Sequence, residues 1–126
     1  MVIIDTSIWI EFFRGKQPYF DRVSELLDRN EGIALSCIFG ELLQGTKNNR
    51  ERAIIQEFWQ NCPKVSEESL FIKAGLESSR NKWVDKGIGL IDSAILIASR
   101  EKSSFIWTLD KKLQRLLKKE EIYTIK

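Results

Sequence analysis

The sequence predicts an α/β fold with a mostly parallel central sheet between layers of helices. The first sign is the run Val2-Ile3-Ile4, which is β-branched throughout and suits a strand covered on both faces. The second is the alternation of short apolar runs with segments whose apolar residues recur at helical spacing. The third is the length of 126 residues without repeat or linker, which predicts a single domain over residues 1–126.

Helix start and stop signals divide the chain between the strands. Residues that favour a helix start are, in order, Thr6 or Ser7, Pro18, Ser36 and Ser66. Residues that favour a helix end are Gly15, Asn30, Gly45, Pro63 and Gly87. Together with the apolar spacing, these signals predict helices over residues 8–13, 18–29, 36–44, 50–60, 66–83, 90–99 and 111–119. The helix over residues 90–99 is apolar nearly all round, which predicts that it is buried.

The strands are read from short apolar runs that follow polar or glycine-containing breaks. They are predicted over residues 2–4, 33–35, 104–107 and 122–125, with a further short edge strand at residues 64–65. Because helices separate these strands, parallel pairing with crossover connections is expected.

Composition excludes several kinds of chemistry. The chain has no histidine, so catalysis by Ser-His-Asp or Cys-His groups within one chain is excluded. Cys37 and Cys62 are far apart in sequence, which favours two reduced, packed thiols over a zinc site. No apolar run is long enough to cross a bilayer, and no signal-peptide pattern opens the chain. A cytoplasmic protein without membrane association is therefore expected, and its net charge of +2 is compatible with an anionic partner.

Four acids occupy positions that are unusual for surface acids. Asp5 and Asp110 each follow an apolar strand directly, whereas Glu41 and Asp92 lie within apolar helices. Acids are rarely buried unless they are paired or bind a metal. Because ligands gather at the carboxyl ends of parallel strands, the four acids are expected to meet there. An all-oxygen cluster suits Mg²⁺ or Mn²⁺, which can activate water for displacement at phosphorus.

Each acid also has a purely structural interpretation. Asp5 could form a turn or cap at the strand–helix junction, and Asp92 could be a first-turn acid favoured by the helix dipole. Asp110 could cap the terminal helix, and Glu41 could form a salt bridge at the edge of the core. The hydroxyls of Thr6, Ser7 and Thr108 are more often local caps than catalytic groups. Basic residues near the expected cleft could contact phosphates or be ordinary solvated charges; they are Arg14, Lys16, Lys47, Arg50, Arg52, Lys111, Lys112 and Arg115.

With these residues in place, the chain resembles the PIN-domain family, in particular the VapC-type toxins of bacterial and archaeal toxin–antitoxin pairs. Four segments carry the resemblance, in the family's order and over essentially the whole chain: Asp5-Thr6-Ser7, Glu41-Leu42-Leu43-Gln44-Gly45, residues 89–98 around Asp92, and Thr108-Leu109-Asp110. The resemblance implies a Mg²⁺- or Mn²⁺-dependent endoribonuclease that forms a homodimer. It also implies a cognate antitoxin that inserts a segment into the active cleft.

Carried over by position, the resemblance makes Asp5, Glu41, Asp92 and Asp110 the acidic, metal-binding site, with Asp5 and Asp92 as the firmest ligands. Thr6 or Thr108 would position a ligand or water. Possible RNA-phosphate contacts are Arg14, Lys16, Lys47 and Lys111. One departure concerns the residues after the last Asp, where the family often has an aromatic and sometimes a further acid. This chain has Lys111-Lys112-Leu113, which bears on the role of Asp110 and on second-metal binding.

Alternative functions leave their own sequence signs. A phosphotransfer enzyme of the haloacid-dehalogenase type needs a second Asp where Ser7 stands, and a receiver domain needs an acid pair at the end of the first strand. No G-x-G-x-x-G follows the first strand, which excludes a dinucleotide-binding dehydrogenase. The remaining alternative is a non-catalytic PIN fold that binds RNA or protein. Replacing Asp5 with Asn distinguishes it, because that change should abolish cleavage only in a nuclease.

Overall fold

A three-stranded parallel sheet lies at the centre of the protein. The computed structural model describes residues 1–125. The strands are β1 (Val2–Ile4), β2 (Gly32–Ile33) and β3 (Phe105–Trp107), in the spatial order β2-β1-β3. Both neighbouring pairs are parallel, and Ile3 pairs with Ile33 on one side and Ile106 on the other. β1 is central, which explains why its three apolar residues are all buried.

Helices flank the sheet, so the predicted α/β class is confirmed. Within residues 1–125 the α-helices are α1 (Thr6–Phe13), α2 (Tyr19–Asp28), α3 (Ser36–Gln44), α4 (Asn49–Asn61), α5 (Leu70–Asn81), α6 (Leu90–Lys102) and α7 (Lys111–Leu116). Short 3₁₀ helices cover Val84–Lys86 and Lys119–Glu121. Helix α1 packs against α2 and α3, and α5 packs against α6. None of the helices in this part of the chain is long and apolar enough to cross a membrane.

Several predicted helix starts are wrong, because the hydroxyls involved are used elsewhere. Thr6 and Ser7 lie inside the first turn of α1, whose N-cap position is Asp5. Ser36 lies inside α3, and both its backbone N–H and its hydroxyl donate to the Glu67 carboxylate, at 2.9 and 2.7 Å. Glu67 is therefore hydrogen-bonded to the start of α3 and lies outside α5, which begins only at Leu70.

Two predicted strands are reduced to single bridges. The run 122–125 forms only the bridge between Ile122 and Ile106, together with a hydrogen bond from Tyr123 N–H to Ile106 O at 2.9 Å. Because the chain just before Ile122 is wound into a 3₁₀ helix, only the start of the run meets β3. The predicted edge strand at residues 64–65 is one bridge between Lys64 and Ala34.

The core confirms most, but not all, of the predicted burial. In α6, residues 93–99 are buried as expected, whereas Leu90 and Ile91 are 52% and 39% exposed. Both cysteines are free, with Cys62 buried and Cys37 partly buried. The tryptophans with the lowest exposure are Trp9, Trp83 and Trp107. Trp9 packs edge-to-face against Phe12, Phe39 and Phe58, which joins α1, α3 and α4 in one aromatic cluster.

Candidate active site

Parallel pairing brings two of the predicted acids to one edge of the sheet. Asp5 follows β1 and Asp110 lies three residues beyond β3, and Ile4 pairs with Trp107 in the last register position. The Asp5 N–H donates to Trp107 O at 3.0 Å, which continues the pairing to the end of β1. The carboxyl ends of both strands therefore open onto the same place, where ligands collect in sheets of this kind.

Asp5 is held by hydroxyl groups from both strand ends. Its side chain is only 8% exposed, and its Oδ2 accepts hydrogen bonds from Thr108 Oγ1 at 2.7 Å and Ser7 Oγ at 3.1 Å. Although Asp5 occupies the N-cap position of α1, its side chain makes no capping hydrogen bond. The structure therefore does not support a capping role for the Asp5 side chain. Instead, the carboxylate has one fixed orientation at the strand end.

The same hydroxyls also bind the backbone beyond β3. Thr108 Oγ1 accepts from Asp110 N–H, and Ser7 Oγ accepts from Leu109 N–H, each at 3.0 Å. Each hydroxyl thus donates to Asp5 while it accepts a hydrogen bond from a backbone N–H in the segment after β3. Sequence reasoning treated Ser7 as a local cap and missed this role. Its only signal was a hydroxyl in the first helical turn, two residues after the acid.

Glu41 and Asp110 are each engaged by nearby donors. Glu41 is exposed on α3, and its Oε1 accepts a hydrogen bond from Thr6 Oγ1 at 3.1 Å. Within residues 1–125 it forms no salt bridge, so the ion-pair alternative for Glu41 is not supported. Asp110 Oδ1 accepts from Lys112 N–H at 2.8 Å and Leu113 N–H at 3.3 Å, so it does cap α7.

Asp92 shows that the four acids share one electrostatic environment. It lies half-buried in the first turn of α6. The pKa of Asp92 is raised to about 6, mainly by burial and then by repulsion from Asp110, Asp5 and Glu41, in that order. Lys112 acts in the opposite direction and lowers it. The Asp110 carboxylate therefore caps α7 and is also near enough to Asp92 for its charge to act on the pKa of that acid.

The chemistry of these donors fits a hard divalent cation. All four are carboxylates, the oxygen ligands that Mg²⁺ and Mn²⁺ prefer, and their mutual repulsion is what a cation would relieve. Across residues 1–125, however, no three acidic or cysteine side chains stand close enough to ligate one ion together. The charge and the ligand type of these carboxylates therefore fit such an ion. Their spacing does not, because they act on Asp92 by charge without converging on one point.

An open, largely apolar groove of about 540 Å³ adjoins Thr6 and Glu41. Ile10, Phe13 and Ile54 line it and are 37–39% exposed. Two of the predicted phosphate contacts, Arg14 and Lys47, lie along the same groove. Arg14 and Lys16 both pair with Glu11, at 3.4 and 3.6 Å, whereas Lys111 is exposed at the start of α7.

Comparison with known proteins agrees with this architecture. Two curated relatives, both called Ribonuclease VapC32 and from two strains of Mycobacterium tuberculosis (CDC 1551 / Oshkosh and ATCC 25618 / H37Rv), are 27% identical to the chain over 118 residues. Each alignment covers 90% of this chain and 88% of the relative. The sequence model of the PIN domain matches residues 2–119, which include all four acids. The fold, the acids at the ends of β1 and β3, and this match together show that the chain belongs to the PIN-domain family.

Proposed function

We propose that the protein is a Mg²⁺- or Mn²⁺-dependent endoribonuclease, the toxin of a VapBC-type toxin–antitoxin pair. Its acidic site would consist of Asp5, Glu41, Asp92 and Asp110. The observation that best supports the proposal is the meeting of Asp5 and Asp110 at the carboxyl ends of β1 and β3, where Thr108 Oγ1 bonds both residues. The raised pKa of Asp92, to which Asp110, Asp5 and Glu41 contribute after burial, is consistent with the same grouping. The ribonuclease name of the curated relatives supports the same reaction.

Each residue of the proposed site would have its own role in the reaction. Thr108 and Ser7 hold the Asp5 carboxylate in one orientation, and Thr6 holds Glu41 towards the groove. Asp92, in the first turn of α6, would add a fourth carboxylate, whose pKa is raised by burial and by the neighbouring acids. A bound divalent ion supplies a Lewis acid that lowers the pKa of water and offsets negative charge at phosphorus. The predicted contacts Arg14, Lys16, Lys47 and Lys111 would bind the RNA backbone by charge.

Two partners besides RNA belong to this proposal. The apolar groove beside Glu41 suits an antitoxin segment that combines apolar side chains with a basic residue reaching the acids. Ile72, Leu76 and Val84 are 70%, 52% and 74% exposed on or just after α5, and they suit burial in a homodimer. The reaction is assigned to the cytoplasm, where substrate RNA and antitoxin are made.

The proposal is tested by RNA cleavage with matched variants. Wild-type protein should cut single-stranded RNA in Mn²⁺ and stop when EDTA is added. Asp5→Asn and Asp92→Asn should each lower the rate by roughly 10²- to 10³-fold, because each removes a charge that stabilises the bound ion. Asp85→Asn is the matched control, since Asp85 is an exposed acid outside the site. Circular dichroism of all variants should be unchanged.

A non-catalytic RNA- or protein-binding module is the second candidate. The observation that favours it is the absence, within residues 1–125, of three ligands close enough to hold an ion. This alternative replaces the nuclease if wild-type protein cuts no RNA in Mn²⁺, or if Asp5→Asn cuts as fast as wild type.

A further inference from the structure

Five cations follow Asp110 with no acid among them. They are Lys111, Lys112, Arg115, Lys118 and Lys119, and we call them the basic strip. None of the chain's 18 acidic residues lies in the segment 111–119, and outside it the acidic residues outnumber the basic ones. The positive net charge of the protein therefore comes from this strip, which is the surface that attracts an anionic partner.

The strip faces solvent. Leu113 and Leu117 turn inward and are 0% and 8% exposed, whereas all five cations are exposed. None of the five forms a salt bridge with any residue among 1–125. Glu121, which follows the strip, pairs instead with Arg100 at 3.0 Å. Because like charges repel, an anion bound along the strip relieves a repulsion that the folded chain leaves in place.

The sheet order separates the strip from the apolar groove. Asp5 follows the central strand β1, whereas α3, which carries Glu41 and one wall of the groove, follows β2, and α7 follows β3. Because β2 and β3 lie on opposite sides of β1, the groove and the strip lie on opposite sides of Asp5. At about 1.5 Å per residue, the six residues of α7 carry the strip about 9 Å from Asp110.

Hydrogen bonds fix α7 to the end of β3. Asp110 Oδ1 accepts from Lys112 N–H at 2.8 Å. Gln114 Nε2 donates to Thr108 O at 2.7 Å, and the Thr108 hydroxyl donates to Asp5. A phosphate bound on the strip therefore has a fixed position relative to the acids.

The composition of the strip suits phosphates rather than bases. Unpaired bases are recognised by stacking on aromatic rings, and residues 108–119 contain no Phe, Tyr or Trp. Lys and Arg bind phosphates by charge, whatever the base sequence. The chemistry of the strip therefore fits the backbone of a nucleic acid that continues beyond the cleft.

We propose that the basic strip binds the phosphate backbone of the substrate RNA on the β3 side of the acids, so that the RNA extends from the cleft over α7. This inference rests on the function proposed above and adds to it. The acids would meet the nucleotides at the cut, and the strip would meet nucleotides further along the same strand.

The triple variant Arg115→Gln/Lys118→Gln/Lys119→Gln tests the strip and keeps the two lysines nearest the acids. In EDTA at low salt, by fluorescence anisotropy, it should bind a single-stranded RNA of about 16 nucleotides roughly ten- to hundredfold more weakly, because up to three phosphate contacts are lost. The slope of log affinity against log salt concentration should fall by about 2, since each single-strand contact accounts for about 0.7.

Two control variants separate the strip from net charge and from folding. Arg29→Gln/Lys73→Gln/Lys102→Gln removes the same charge from exposed cations near the amino ends of the strands, and should stay within about threefold of wild type. Arg115→Lys/Lys118→Arg/Lys119→Arg keeps the charges of the strip and should bind RNA within about twofold of wild type. Circular dichroism should be the same for all variants.

Two further readouts locate the RNA. When lysines are acetylated and read by mass spectrometry, bound RNA should protect Lys118 and Lys119 but leave Lys73 and Lys102 as reactive as in the free protein. In Mn²⁺, the Gln variant of the strip should raise the KM for cleavage of the same RNA about tenfold and leave kcat within about twofold. The reason is that the strip binds substrate and transition state alike.

The inference is overturned if the Gln variant of the strip binds RNA as tightly as wild type, if the charge control loses as much affinity, or if RNA leaves Lys118 and Lys119 unprotected. A Gln variant that keeps RNA binding but loses affinity for a fluorescent polyglutamate peptide would assign the strip to an acidic protein instead. A wild-type protein that binds RNA over the strip but cuts none in Mn²⁺ would support the strip and overturn the proposed nuclease.

Discussion

Asp5 and Asp92 face the same cleft, but their surroundings differ in kind. Asp5 is the more buried of the two, and it accepts two hydroxyl hydrogen bonds that tie it to the end of β3. Asp92 is half-buried, and none of the side-chain hydrogen bonds found in residues 1–125 reaches its carboxylate. The degree of burial alone therefore does not set the free-energy cost of an ionised carboxylate in the folded protein. What decides it is whether donors replace the water that burial removes.

The difference divides the site into a fixed part and a charged part. The hydroxyls around Asp5 fix the geometry of the strand ends, because each one also accepts a backbone N–H from beyond β3. Asp92 instead has a raised pKa, first because it is half-buried and then because Asp110, Asp5 and Glu41 repel its charge. Removing Asp5 should therefore cost stability, and removing the charge of Asp92 should raise it.

The largest effect on stability is expected for Asp5→Ala. The hydroxyls of Ser7 and Thr108 would lose their shared acceptor at a buried position, so the free energy of unfolding should fall by about 2–4 kcal/mol. Urea denaturation monitored by tryptophan fluorescence measures this. Asp85→Ala, at an exposed acid, is the control and should be close to neutral. A similarly small change for Asp5→Ala would remove the distinction between the two acids.

Thr108→Val tests the same network from the other strand. Valine keeps the shape but loses the donor to Asp5 and the acceptor of the Asp110 N–H, so a loss of about 1–3 kcal/mol is expected in the same denaturation experiment. The exposed Thr124 supplies the control substitution Thr124→Val. Equal stability of both variants would mean that the hydroxyl bridge does not hold the strand ends together.

Asp92→Asn should act in the opposite direction and depend on pH. The pKa of Asp92 is raised from 3.8 to about 6 in the folded protein, so the folded state binds its proton more tightly than the unfolded state. Stability is therefore lost as pH rises between these two values, and the loss is complete above the higher one. At pH 7 the Asn variant should be more stable by about 1–2 kcal/mol, a figure reduced for screening by water.

Urea titrations of wild type and Asp92→Asn at neutral and acidic pH measure this difference. The advantage of the variant should shrink as the pH falls through about 6 and vanish below 3.8, where both states are protonated. A stability difference that does not change with pH would show that Asp92 acts through packing rather than charge.

The smallest effect is expected for Thr6→Val. The Thr6–Glu41 hydrogen bond is exposed and 3.1 Å long, so its loss should cost about 0.5 kcal/mol or less. Thr6→Ser keeps the hydroxyl and is the control. A loss of stability as large as that of Thr108→Val would place Glu41 in the fixed part of the site rather than at its exposed rim.

Sequence reasoning located the parts of the molecule that follow from local rules. The apolar run at β1, the buried helix α6 and the acids at the two strand ends were predicted from hydrophobic periodicity and from the geometry of parallel sheets. The cap at Asp110 was foreseen as one of two alternatives. Metal binding and the roles of the four acids remain predictions.

The errors concern groups whose partners are distant in sequence. Ser36 and Ser66 look like helix caps, but Ser36 is bonded to Glu67, 31 residues away. The final run 122–125 has strand composition, yet a preceding 3₁₀ helix limits it to one bridge. Ser7 bonds a backbone N–H 102 residues later. Single-sequence patterns predict what a residue favours locally, and these residues satisfy non-local donors and acceptors instead.

The hydrogen bond between Thr108 and Asp5 joins residues 103 positions apart, and it has a consequence for the order of synthesis. Asp5 is synthesised 103 residues before the hydroxyl that orients it. A nascent chain that ends before Thr108 has neither the hydroxyl that orients Asp5 nor the fourth acid. If the protein is the toxin proposed here, cleavage requires that synthesis has passed Thr108 and Asp110, because the first three acids alone lack the group that orients Asp5.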